Sequence, residues 1–383
     1  SFVIDSDDEG GDDDKDVAAE IHTINSLTNG GCAVNHDGLT DASLPQYAGI
    51  DGFANIDFAA MDDKITAQEE SDEVTPEQQN EWHASKLDPT QKLLHDYICK
   101  TWFHGVLADY ALRRKLRKLQ VKEFGTAGSG KTRLNRTMVV SLRVTLQSLR
   151  LLEEPADKER LCEVLGNIGL DGVVTELLSE NNHRMAEKNQ LEGERVACLW
   201  KRLVHFGRTA KIRLTAYTGV ASTLLGFGAR TVCSMFKTGT TKFKEDIDGP
   251  LAVQLQSSDG LGSAILIIAD EISFIGTSLL GKMVLRGQQG RKQWLEEAGI
   301  DSDDEASIGG NMGWVMSGDP SQLPPVNDKE LISKQKPDTK LERSGKQFWD
   351  DVPYVFQLWR CHRQQNDAKY AQMCLALKAG TYT

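Results

Sequence analysis

Eight consecutive residues, Gly125-Thr126-Ala127-Gly128-Ser129-Gly130-Lys131-Thr132, have the spacing of a phosphate-holding loop. Gly125, Gly128 and Gly130 let the backbone curl until successive N–H groups face phosphate oxygens. Lys131 adds a point charge for the β- and γ-phosphates, and the Thr132 hydroxyl is a ligand for Mg²⁺. The cofactor-binding set is therefore Gly125, Thr126, Ala127, Gly128, Ser129, Gly130, Lys131 and Thr132. A glycine-rich surface turn with an incidental lysine is the bland alternative. Two further groups suit the same chemistry. Asp270 and Glu271 close the apolar run Ala264–Ala269, where Asp270 can hold a hydrated Mg²⁺ and Glu271 can polarise an attacking water. Gly318-Asp319-Pro320-Ser321-Gln322-Leu323-Pro324-Pro325 offers Gln322 as a sensor of the γ-phosphate, carried on a stiff proline turn. By themselves, a solvated strand end and an ordinary proline turn explain these two segments equally well.

The elements that must position these groups are legible. Gln120–Phe124 reads as a strand and Thr132 to about Arg150 as a helix starting beneath the phosphates, where its dipole favours negative charge. Lys211–Ala216, Ala264–Asp270, Trp314–Asp319 and Tyr354–Leu358 read as further strands. Asp88-Pro89-Thr90-Gln91 is a capped helix start, followed by Leu93, Leu94, Tyr97 and Ile98 at helical spacing. A second helix is expected over Ala108–Leu119; its Arg113, Arg114, Lys115, Arg117 and Lys118 suit a solvated face, a nuclear-import signal or a nucleic-acid patch. Residues 153–205 read as a helical insertion, and 286–308 as a polar surface excursion. Strands alternating with helices predict an α/β fold with a parallel sheet.

Charge is divided unevenly. Residues 1–86 hold 14 Asp and 7 Glu against 3 Lys, a net of −18. The whole chain of 383 residues is −12, so residues 87–383 carry +6, a balance suited to a polyanionic partner. Residues 1–86 are expected to be a disordered acidic leader. The seven cysteines show no paired C-x-x-C spacing, which implies neither a zinc site nor a disulfide framework. No apolar run is long enough for a membrane-spanning helix. The chain opens on Ser1, and the expectation is a piece of a longer protein.

Taken together the segments resemble the Pif-type DNA helicases, of the RecD-like branch of superfamily 1. The resemblance rests on Leu87–Gln91, Gly125–Thr132, Thr218-Gly219-Val220-Ala221, Asp270-Glu271-Ile272-Ser273, Gly309-Gly310, Gly318–Val326 and Leu358-Trp359-Arg360-Cys361-His362-Arg363-Gln364. It covers about residues 87–383 and leaves 1–86 unexplained. Phe274 and Cys233 stand where the family commonly has Met and His.

The resemblance implies RecA-like domains with ATP and Mg²⁺ in the cleft between them, and 5′-to-3′ unwinding of DNA. It makes Gln91 a reader of adenine, Lys131, Glu271, Gln322 and Arg363 catalytic, and Thr132 and Asp270 metal ligands. Thr218, Gly219, Val220 and Ala221 would grip a single DNA strand. The expected domains are the leader at 1–86, a first RecA-like domain at 87–350 and the start of a second at 351–383. Single-stranded and tailed duplex DNA are the implied partners, with no membrane. DNA repair, recombination or telomere maintenance is the implied setting, in the nucleus of a eukaryote or in its mitochondrion. Two rivals stand beside this reading: the helicase part of a mobile-element replication protein, and a nucleotide-dependent scaffold that does not translocate.

Overall fold

A computed structural model of the chain describes residues 73–111, 116–152, 199–239, 243–247, 249–257, 259–297 and 309–362, with isolated helical positions at 163–197 and 369–376. Residues 1–72 of the acidic leader, Arg363 and nearly all of 153–198 lie outside the described residues.

The described chain begins with α1 (Pro76–Glu81), α2 (Pro89–Asp96) and α3 (Phe103–Ala111), the last two joined by a π-helical turn over Tyr97–Trp102. Then come β1 (Gln120–Gly125), α4 (Lys131–Arg150), β2 (Lys211–Ala216), α5 (Gly219–Leu225), β3 (Arg230–Thr231), α6 (Val232–Phe236) and α7 (Gly249–Gln256). β4 (Ala264–Asp270), α8 (Thr277–Glu297), β5 (Gly313–Gly318), α9 (Lys340–Asp350) and β6 (Tyr354–Leu358) complete the order. All six strands run parallel in one sheet, in the order β3-β2-β4-β5-β1-β6. Every residue of β4 is buried, as the unbroken apolar run requires of a strand covered on both faces. This is the α/β sheet with flanking helices expected of a RecA-like P-loop domain.

Alternation along the strands divides the core in two. Val121, Leu214, Ile268 and Val315 pack under Leu134, Met138 and Leu142 of α4. On the other face Phe124, Ile267, Trp314 and Met316 pack against Leu280 and Met283 of α8 and Phe348 and Trp349 of α9. Trp314 anchors this side, stacked on Phe236 at 5.7 Å and edge-on to Phe348 at 5.3 Å. Among the described residues no helix is long and apolar enough to cross a membrane.

Four expectations need correction. The end of the presumed leader is folded: Thr75 and Gln78 form a capping box for α1, Val74 is buried, and its N–H donates to Gln147 Oε1 at 3.3 Å. Polar composition hid this, because α1 is held by caps and by Trp82 lying under Arg136 at 4.8 Å. Second, the helix expected over Ala108–Leu119 is described only to Ala111. Leu116 and Leu119 are buried without helical structure, and Arg117 turns back onto Asp109 with Nε 2.8 Å and Nη2 3.0 Å from its carboxylate oxygens.

Third, residues 286–297 are no surface excursion but the second half of α8. Arg286 and Arg291 are buried there because their guanidinium groups cap backbone carbonyls: Arg286 those of Lys244 (2.6 Å) and Glu245, Arg291 that of Gly262. Fourth, the strand at 354–358 does not start a second sheet. β6 pairs with β1 from Val121↔Tyr354 to Gly125↔Leu358, so the first domain continues past residue 350.

That placement generates a prediction. Leu358 is 1% exposed beside the phosphate loop. Leu358→Ala should cost about 2–5 kcal/mol in urea-induced unfolding. A loss below about 0.5 kcal/mol, the scale of a surface substitution, would remove β6 from this core.

Candidate nucleotide-binding site

A phosphate cradle needs N–H groups facing inward, and so its carbonyls must be satisfied elsewhere. In this loop all six carbonyls from residue 125 to residue 130 are engaged. Lys131 Nζ donates to Gly125 O at 2.6 Å and to Thr126 O at 3.2 Å. Cys361 Sγ lies 3.6 Å from Ala127 O, and the His362 N–H donates to Gly128 O at 2.8 Å. Gln91 Nε2 donates to Ser129 O at 3.1 Å and to Gly130 O at 3.5 Å, and the Gly130 carbonyl also accepts the first turn of α4 from Leu134 N–H. Gly128 (φ 87°) and Gly130 (φ 84°) make the turns that side chains resist. A Cβ at Gly130 would also collide with the Gln91 amide.

Gln91 therefore has a different place from the one expected. Its amide is 1% exposed, with Oε1 accepting from the Asp88 N–H at 3.1 Å and Nε2 spent on the loop. It braces the loop from behind. Asp88 caps α2 through Oδ1, at 2.8 Å from Thr90 N and 3.0 Å from Gln91 N, and its Oδ2 lies 2.7 Å from His362 Nε2. Burial pushes the Asp88 carboxyl up, but hydrogen bonds from Thr90, Gln91 and His362 together hold it below the ordinary value.

Both acids stand at the carboxyl end of β4, which β5 separates from β1. Asp270 is 7% exposed at the end of β4, and its Oδ1 accepts from the Glu271 N–H at 2.9 Å. Burial raises its carboxyl above the usual range, against the pull of that N–H and of Lys131. Thr132, at the first turn of α4, is exposed. Among the described residues no group of three or more His, Cys, Asp or Glu side chains could hold a metal unaided. Asp270 and Thr132 fit Mg²⁺, which binds through one or two protein oxygens and completes its shell with water and phosphate.

Glu271 breaks from the strand into the left-handed region, at φ 58°. This turn carries its carboxylate to Thr218: Oε2 accepts from Thr218 Oγ1 at 3.0 Å and from Thr218 N at 3.4 Å. Thr218 is the N-cap of α5, its hydroxyl also accepting from the Ala221 N–H at 3.1 Å. Gly219 and Val220 are exposed on that first turn, so the expected strand-gripping residues abut the expected general base. Gln322 is exposed in the turn after β5, its N–H donating to Asp319 O at 3.0 Å. It lines a cleft with Ile272, Ser273, Pro324 and Trp349, and no hydrogen bond among the described residues ties it to Lys131 or the acids. Arg363 lies outside the described residues.

One group was missed. Glu123 on β1 is fully buried, paired in register with Ser317 of β5, and neither carboxylate oxygen has a hydrogen-bond partner. Burial and the neighbouring Asp270 push its carboxyl up to about 8, while Ser317 and Lys131 pull the other way. The signal was available in the strand's alternation. Val121 and Glu123 share a face, and an apolar residue at one makes the other buried too.

The sign of its linkage is testable. Without nucleotide, folded Glu123 keeps a proton that the unfolded chain releases near 4.5, so stability falls as pH rises from there to about 8. Glu123→Gln should flatten that slope, leaving the part due to Asp270. Urea midpoints of both proteins between pH 5 and about 8 would show it, and parallel slopes would contradict the assignment.

A family model described as PIF1-like helicase matches residues 173–381, from beyond the phosphate loop through Thr218, Asp270-Glu271, Gln322 and Arg363. No curated protein matches the chain. Among solved structures, the Pif1 helicase from Candida albicans is 18% identical, with 76% of this chain and 44% of that chain covered and a TM-score of 0.42. A Pif1 helicase from Bacteroides in complex with ADP-AlF3 and ssDNA is 15% identical, covering 70% of this chain and 44% of that one, TM-score 0.34. Bacteroides Pif1 bound to ssDNA is 16% identical, covering 78% and 47%, TM-score 0.36. The chain thus spans less than half the length of each of these helicases, and likeness at such scores adds nothing to what the sheet itself shows. The family match takes in more than half of the chain: it belongs to the PIF1-like helicase family.

Proposed function

We propose that this chain is the nucleotide-binding part of an ATP-dependent DNA helicase that moves 5′-to-3′ on single-stranded DNA and opens tailed duplexes. The observation that carries it is the loop at 125–130, with all six carbonyls engaged by Lys131, Cys361, His362, Gln91 and the first turn of α4. Family membership supports the helicase reading. Direction, a place in repair, recombination or telomere maintenance, and a nuclear location are parts of the proposal that rest on the resemblance alone.

The residues divide the work by position. Loop N–H groups and the dipole of α4 bind and orient the phosphates. Lys131 now neutralises two loop carbonyls, and moves its charge to the β- and γ-phosphates when they arrive. Asp270 and Thr132 would hold a magnesium ion, which would supply charge neutralisation at the phosphate oxygens. Glu271 accepts a proton from the attacking water, for which its carboxylate must leave Thr218. Thr218 donates to a strand phosphate in the proposal, and so a strand phosphate and the Glu271 carboxylate compete for one hydroxyl and one N–H, and strand binding favours release of the base. Arg363 supplies further charge at the transferring phosphate in the proposed mechanism.

Two substitutions separate the roles. Lys131→Ala should lower ATP turnover by about 10²-fold or more with unchanged thermal unfolding. Glu271→Gln should hold nucleotide as tightly as the native protein while turnover stalls; a parallel loss of affinity would make Glu271 structural. The function itself is tested by ATP turnover with and without single-stranded DNA, and by displacement of a strand from a 5′-tailed duplex by the protein in its full length. Turnover indifferent to DNA would favour a nucleotide-dependent scaffold.

A further inference from the structure

The phosphate loop is held by two segments far apart in sequence, and one side-chain contact joins them. α2 reaches the loop through Gln91, on Ser129 O and Gly130 O. The segment leaving β6 reaches it through Cys361 Sγ on Ala127 O and the His362 N–H on Gly128 O. His362 Nε2 then meets Asp88 Oδ2 at 2.7 Å, while Asp88 Oδ1 takes the N–H groups of Thr90 and Gln91. The result is a closed ring: Asp88, α2, Gln91, the loop, His362, and Asp88 again. The imidazole also covers the loop, since a Cβ at Gly130 would stand 3.4 Å from its Cδ2. Asp88 is buried and the His362 side chain only 34% exposed, so water replaces the contact poorly.

We infer that His362 is a positioning residue for nucleotide binding: its pairing with Asp88 locks the strap at 359–362 against α2 and holds the loop carbonyls outward. The inference rests on the loop at 125–132 being the nucleotide site. A loop released from this ring samples arrangements in which carbonyls face the phosphates. Apparent affinity falls by the fraction of time the competent arrangement is lost. A charge-assisted hydrogen bond of this burial makes that fraction roughly tenfold.

The test is titration of the 383-residue chain with a fluorescent ADP analogue in Mg²⁺, for the native protein, His362→Ala, His362→Gln, Asp88→Asn, the Ala/Asn double variant and Lys131→Ala. His362→Ala should weaken binding about tenfold, and His362→Gln, which keeps a donor near Nε2, should recover most of it. Asn caps a helix as well as Asp, but with its one oxygen on the cap it sets an NH2 group against His362, so Asp88→Asn should lose several-fold through the lost charge and acceptor. The double variant should be little weaker than His362→Ala, because both changes open one ring. Native affinity in His362→Ala, or losses that simply multiply in the double variant, would overturn the inference while binding that needs Lys131 upholds the site. No binding by the native chain would overturn both. Should His362→Ala fail to fold, the Gln and Asn variants decide, since equal native affinity in both also sinks the positioning role.

Discussion

Backbone carbonyls and N–H groups come in equal numbers, and a loop that offers only N–H groups to an anion must dispose of its carbonyls. That accounting governs the described structure. In the loop at 125–130 the carbonyls go to Lys131, Cys361, His362, Gln91 and the first turn of α4. The donors come from three places, α2, the start of α4 and the segment after β6, and the parallel sheet brings the three together. β1 delivers the loop between β5 and β6, α4 leaves from its far end, and β6 carries the strap alongside.

Electrostatics follows from the same arrangement. Lys131 is the cation nearest both Asp270 and Glu123 in its effect, and it works against the burial that raises both carboxyls. Burial leaves Glu123 protonated below about 8, so beside the single lysine its carboxyl is neutral, which is how a group with neither oxygen hydrogen-bonded stays in the core. The left-handed turn at Glu271 has the opposite consequence: it moves the second acid out of this buried row and onto Thr218. One peptide thus separates a buried acid at the strand end from an acid on the first turn of α5.

The link between Thr218 and Glu271 also shows how a remote surface reaches the site. α5 presents Val220 and Leu224 to solvent, and its N-cap hydroxyl is shared with the expected base. The contact is made by one carboxylate oxygen of Glu271, which takes both the hydroxyl and the N–H of Thr218. Anything that binds the first turn of α5 through the same hydroxyl biases it, with no rearrangement of the sheet.

The sequence by itself determined what depends on local chemistry. Glycine spacing specified the loop, the apolar run at 264–269 specified a doubly covered strand, and Asp88-Pro89 with Gln91 specified a capped helix start. Tyr354–Leu358 was legible as a strand for the same reason. Its partner was not, because pairing is decided by which edge of the sheet is open, and the structure adds β6 to β1 where a second domain was expected. Gln91 was legible as part of that helix start, but its partner is a loop 38 residues away. Arg286 and Arg291 read as solvent-facing because charge is costly to bury, and only the fold supplies the carbonyls of Lys244, Glu245 and Gly262 that satisfy them. The contact of His362 with Asp88 joins positions 274 residues apart. No periodicity or propensity spans that distance, and only the closing of the sheet brings the two side chains together.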